Sequence, residues 1–90
     1  MPRSSPTSRA YRSPARSTTR TTRIFKRLGR QIRTLRKQRE LTQEALASAS
    51  RIDAKHLQAI EAGATNATVA TLDGIARGLG VQIRDLFELP

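Results

Sequence analysis

Ninety residues with 37% apolar content bound this chain to one small domain, so a large buried core is excluded. There is no cysteine, which excludes disulfides and thiolate metal sites, and a single histidine cannot hold zinc alone. The formal charge of +10 calls for an anionic partner, with nucleic acid first and a membrane surface second.

Residues 1–23 carry six arginines and no acidic residue, hence +6; the rest carries 17 − 6 = 11 basic and 7 acidic residues, hence +4. Ser, Thr, Pro and Arg dominate that first segment, and Tyr11 is its one large apolar side chain. Such a stretch cannot bury enough surface to offset its ordering entropy, so it is expected to be disordered when free. It reads either as an arm along DNA phosphates or a minor groove, or as a solvated tail. Its composition is also similar to a transit peptide but lacks the amphipathic pattern of one. No apolar run approaches the ~18 residues that span a bilayer, and no apolar signal-peptide core is present.

The remaining residues, 24–90, read as short helices with short connections. Ile24, Phe25, Leu28, Ile32 and Leu35 share one face at 3.6-residue spacing, which predicts a helix over about 24–39. Lys26, Arg30, Arg33 and Lys37 fall on the opposite face, either solvated or set against phosphate. Thr42 is placed to cap a helix over about 43–49, with Leu46 and Ala47 inward. Ser50, Arg51 and Ile52 make a turn that Ile52 plugs. Asp53 is expected to cap a helix over about 54–61, with Leu57 and Ile60 inward and Gly63 stopping it in a left-handed conformation. Thr68 caps a helix over about 69–78, whose Leu72, Ile75, Ala76 and Leu79 give a buried stripe ended by Gly80. A last helix over about 83–88 puts Ile83, Leu86 and Phe87 on one side. The pattern is all-α, a compact bundle of five helices.

Two short helices joined by a tight turn form the helix-turn-helix arrangement. Leu28, Gly29, Ile32, Arg33 and Arg36, then Leu41-Thr42-Gln43-Glu44 and Leu46-Ala47, carry a closer likeness. It continues through Leu57, Glu61, Gly63, Leu72, Ile75-Ala76, Leu79 and Leu86, with no insertion between Leu41 and Gly63. Over about 24–90 the chain resembles the Cro/repressor-type (XRE-like) helix-turn-helix family. That resemblance implies a lambda-repressor-like five-helix domain that binds double-stranded DNA sequence-specifically, as a homodimer. Two positions depart from the family pattern. Arg51 stands where glycine is usual, because the chain turns there with positive φ, and Ser50 stands where an apolar residue is usual.

The resemblance places the base-reading positions at Ala54, Lys55 and Ala59, with Gln58 adjacent. Their chemistry fits unevenly. Lys55 can donate to guanine or phosphate and Gln58 can pair with adenine, whereas the alanines offer only apolar contact, as to a thymine methyl. Gln43 and Thr42, at the start of their helix, are expected at a phosphate, helped by the helix N-terminus. His56 and Arg33 are further phosphate candidates. The resemblance also pairs Arg36 with Glu61 as a structural ion pair. The dimer contact is expected from Phe87 and Leu89, unless Phe87 instead closes the core.

No nucleophile–base pair, paired-carboxylate spacing or glycine-rich phosphate loop points to an enzyme, and no cofactor or metal is expected. A second reading is an antitoxin-like module that occupies a toxin protein and binds DNA only secondarily. A third is non-specific binding driven by the arginine-rich segment. A cytoplasmic location, at the nucleoid when DNA-bound, follows from the partner and the missing signal.

Overall fold

The computed structural model describes residues 19–88. The expectations for residues 1–18, including disorder of the arm, and for Leu89 fall outside the described residues. Four α-helices follow in order: α1 (Thr19–Gln38), α2 (Gln43–Ser50), α3 (Ala54–Glu61) and α4 (Val69–Leu79). A 3₁₀ turn, Ile83–Leu86, comes last. Among the described residues there is no strand, and no helix is long and apolar enough to cross a membrane.

The core forms where the apolar stripes meet. Leu28 and Ile32 of α1, Leu46 of α2, Leu57 and Ile60 of α3, and Leu72, Ile75 and Leu79 of α4 are buried together, and Leu86 closes the floor. Leu35, Leu41 and Ile52 pack on its rim. Arg39 ties the end of α1 to α4 by donating to the Leu79 carbonyl.

Two boundaries differ clearly from the sequence expectation. α1 begins at Thr19, not near Ile24, so the last five residues assigned to the tail are helical. They contain no apolar residue, so periodicity could not register them. Once the packed part of α1 is nucleated, each added residue gains a hydrogen bond without a new nucleation cost. This overhang also explains why Ile24 is 48% exposed although it lies on the predicted buried face. The second difference is at the end of the domain, where a four-residue 3₁₀ turn replaces the expected helix over 83–88. Asp85 Oδ2 accepts from the Gln82 amide at 2.9 Å, which starts the turn. The Gln31 side chain, from α1, donates to the Asp85 and Glu88 carbonyls at 3.1 and 3.0 Å. Asp85's carbonyl is thereby engaged by α1 where a longer helix would use it.

The α2–α3 turn is tight despite its sequence. Arg51 adopts φ 62°, ψ 42°, and the Ile52 amide donates to the Ala47 carbonyl at 3.0 Å. A non-glycine residue in that left-handed conformation costs on the order of 1 kcal/mol. Arg51 is exposed and its side chain makes no hydrogen bond, so nothing offsets the strain. Arg51→Gly is therefore expected to raise the urea midpoint by an amount equivalent to about 1 kcal/mol. An unchanged or lower midpoint would count against the strain.

Ser50, at the other departure from the family pattern, is buried with its hydroxyl unpartnered. It lies against α4, where a Cβ on Gly78 would stand 2.9 Å from Ser50 Oγ and one on Gly74 would stand 3.1 Å from the Ser50 carbonyl oxygen. Small residues on α4 thus let α2 approach closely. At the end of α3, Gly63 takes φ 72°, while the Gly63 and Ala64 amides donate to Ile60 and Ala59. A Cβ there would also meet Lys26 of α1 at 2.7–2.8 Å, so glycine is required twice over.

Candidate nucleic-acid interface

The start of α2 and the outer face of α3 lie side by side. Thr42 caps α2, its Oγ accepting from the Ala45 amide at 3.0 Å. Its hydroxyl acceptor is thus occupied, while its O–H remains a donor. Gln43 opens the helix and is half-buried. Asp53 holds the corresponding place before α3, with extended backbone, but its side chain caps nothing. This corrects the expected capping role. A strong capping residue type was present, but its carboxylate is not bonded to the first turn, so the early α3 amides carry no side-chain acceptor.

Leu57 and Ile60 anchor α3 in the core, and Lys55 and Gln58 are exposed on its other side. Ala54, a base-reading position in the family resemblance, is not fully exposed. It is half-buried and packs on the core, because the tight turn draws the first residue of α3 inward with Ile52. Ala59 and His56 are also half-buried. Lys55 and Gln58 are therefore the fully presented side chains among the base-facing candidates.

A chain of polar contacts runs behind this face. Arg36 Nε donates to Glu61 Oε2 at 2.7 Å and Nη2 to Oε1 at 3.0 Å, a two-pronged ion pair in which both residues are buried. The third guanidinium nitrogen donates to the Leu41 carbonyl at 2.8 Å. Glu61 Oε1 also accepts from Gln43 Nε2 at 3.0 Å. Gln43 Oε1 in turn accepts from Gln58 Nε2 at 3.4 Å, a longer and weaker contact. Buried ions are tolerable only when paired and further hydrogen-bonded, and here every charged nitrogen and both carboxylate oxygens are engaged. The result links α1 to the exposed glutamine of α3 through Glu61 and Gln43.

Arg36, Glu61, Gln43 and Gln58 are thus brought together. Arg33 is exposed on α1 outside this chain, and His56 and Lys55 make no hydrogen bond to it. Reading the sequence missed the Gln43–Glu61 and Gln43–Gln58 contacts. Residues 43 and 58 lie 15 apart on different helices, and no local spacing rule connects them. Reciprocal amides on adjacent helix faces were the one available signal.

Two short helices, a three-residue turn closed by the Ile52 amide, and an outward second helix beside the first helix's start define a helix-turn-helix unit within an all-helical domain. The chain belongs to the helix-turn-helix domain family, whose model matches residues 27–89. It is 34% identical over 63 residues to the control protein C.MunI of a Mycoplasma species, covering 69% of this chain and 85% of that one. It is 36% identical over 56 residues to an immunity repressor protein of Bacillus phage phi105, covering 62% of this chain but 39% of that longer protein. The crystal structure of the restriction-modification controller protein C.AhdI from Aeromonas hydrophila superposes with a TM-score of 0.69 at 30% identity. That superposition covers 70% of this chain and 96% of the controller. The similarities agree with the Cro/repressor type read from the residues.

Proposed function

We propose that this chain is a small transcriptional regulator, of the repressor or controller kind, that binds double-stranded DNA sequence-specifically through α3. The observation that carries the reading is the presentation of Lys55 and Gln58 on the free face of α3, with Gln58 held by Gln43 and, through it, by the buried Arg36–Glu61 pair. The names of the repressor and controller relatives support it. In this reading α3 enters the major groove, where Lys55 donates to guanine or phosphate and Gln58 meets adenine. Gln43 and Thr42 sit at the flanking phosphate, where the N-terminus of α2 adds its amides and positive dipole end. His56 and Arg33 are outer phosphate contacts. Ala54 and Ala59 contribute shape and apolar contact, so direct readout is modest and DNA shape carries part of the specificity.

One eight-residue helix reads only a few base pairs, so the protein acts as a homodimer on half-sites about 34 Å apart. Phe87 supports that arrangement. It is 51% exposed and does not close the core; Leu86 does. With Ile24, Arg27, Leu28 and Leu86 it lines an open, mostly apolar cleft suited to a second copy.

The test is a titration of the full chain against the duplex upstream of its own gene and a scrambled duplex, at two salt concentrations. A preference of roughly 10³ or more, retained at higher salt, is expected. Lys55→Ala and Gln58→Ala should each reduce discrimination by ~1–3 kcal/mol. Gln43→Ala should weaken both duplexes and, by releasing Gln58, also lose part of the discrimination. If Gln58→Ala alters neither affinity nor preference, α3 is misassigned.

A further inference from the structure

The charge of the described residues is not spread over the domain. α1 holds eight basic residues and no acidic one, a net of +8. Outside α1, residues 39–88 hold five basic and seven acidic residues, a net of −2. The helix-turn-helix face itself offers Lys55 as its one α3 cation. Yet backbone neutralisation by Lys and Arg supplies the sequence-independent part of DNA affinity. Within the described residues, the net positive charge that supplies it lies on α1.

Of the eight cations on α1, Arg36 is buried against Glu61 and the other seven are exposed. The ion pairs among the described residues are Arg36–Glu61 and Arg77–Asp73, so none of the seven has a carboxylate partner. Arg23, Arg30 and Lys37 fall seven residues apart, which puts them on one line along the helix. Arg27 and Arg33 flank that line. From 23 to 37 the line runs about 21 Å at ~1.5 Å per residue, the axial length over which one DNA strand carries roughly six phosphates. The arrangement is unfavourable in the free protein, because Lys26 and Arg30, and likewise Arg33 and Lys37, are like charges at i, i+4. Phosphates would relieve that repulsion. A membrane surface fits less well, since Leu28, Ile32 and Leu35 of α1's apolar face are spent in the core and Ile24 alone of that face stays exposed, which makes no stripe to enter lipid.

We infer that the exposed face of α1 is a second nucleic-acid contact, a ridge that engages the phosphate backbone of duplex DNA without reading bases. It works separately from α3, and the inference stands whether or not α3 proves to be the specific reader.

The experiment compares the full chain with the triple variant Arg23→Gln, Arg30→Gln, Lys37→Gln, titrating both duplexes across a salt series. All three side chains are exposed, and none is hydrogen-bonded or ion-paired to Arg36, Glu61 or α3. The variant should lose a similar factor of affinity on both duplexes, more than tenfold at low salt. The slope of log affinity against log salt should shrink by roughly two to three units, and the ratio between duplexes should stay unchanged. Its melting temperature should equal or exceed that of the parent, which excludes unfolding as the cause. Arg23→Lys with Arg30→Lys should keep the parental slope. An unchanged slope in a folded triple variant overturns the ridge, as does an equal loss in the lysine variant. Loss of binding to phosphatidylserine vesicles with DNA slopes unchanged would overturn it in favour of a membrane. If the parent shows no preference between duplexes, base reading by α3 fails, while the slope comparison still decides the ridge.

Discussion

Glu61→Ala is expected to destabilise the domain by about 3–5 kcal/mol, because it strands a buried guanidinium. Arg36 sits 8% exposed, and its Nε and Nη2 would lose both of their carboxylate acceptors, with only the Leu41 carbonyl remaining. Gln43 would lose its anchor at the same time. For a domain of this size each kcal/mol moves the melting temperature by roughly 4–8 °C. The variant should therefore melt well below the parent or be unfolded at room temperature. The size of the loss measures the stranded charge more than the value of the pair. A joint replacement, Arg36→Met with Glu61→Leu, should consequently be much milder than either single change. Urea unfolding of the singles and the double separates the cases. A single-variant loss below about 1 kcal/mol would be surface-pair behaviour and would sink the argument.

That pair also shows what the sequence makes legible. The family likeness placed Arg36 with Glu61, and apolar spacing alone placed Leu46, Leu57, Ile60, Leu72, Ile75 and Leu79 inward, where they are buried. Capping chemistry located Thr42 and Thr68, whose hydroxyls accept from Ala45 and Thr71. The positive φ at Arg51 was legible from the family pattern, against the residue type.

What could not be read has physical causes. Thr19 to Arg23 fold onto α1 by extension of an existing helix, for which a segment without apolar residues gives no signal. Asp53 is a favoured capping residue in the right place, but a cap needs a bond, and the turn geometry does not supply one. Ala54 was placed among the base-reading residues by the family likeness, yet it packs against the core. Ile83–Leu86 becomes a 3₁₀ turn because Gln31, more than fifty residues earlier, engages the Asp85 and Glu88 carbonyls. The Gln43–Gln58 contact likewise depends on how two helices lie together. For Asp53, Gln31, Gln43 and Gln58 the local chemistry was visible, and what tertiary packing does with it was not.

Gly29→Ala puts two of these levels in opposition. Within an exposed helix the change would stabilise by about 1 kcal/mol, since alanine is the better helix former. Gly29, however, lies where α1 crosses the C-terminal end of α3, and an added Cβ would overlap the carbonyl oxygens of Ile60 and Glu61. Those are backbone atoms of a packed helix and cannot swing aside as a side-chain tip would. α1 must instead lift from α3, next to the site where Arg36 grips Glu61. Overpacking of this kind costs typically 1–3 kcal/mol, and loosening of the buried ion pair adds to it, so the net is a loss of roughly 1–3 kcal/mol despite the better propensity. The urea midpoint should fall. Because the same movement shifts Glu61 and, through Gln43, the tether on Gln58, discrimination between duplexes should fall with it. A higher midpoint in Gly29→Ala would mean that propensity wins and that α1 and α3 do not meet at this glycine, and the positioning of Gln58 through α1 would fall with that contact.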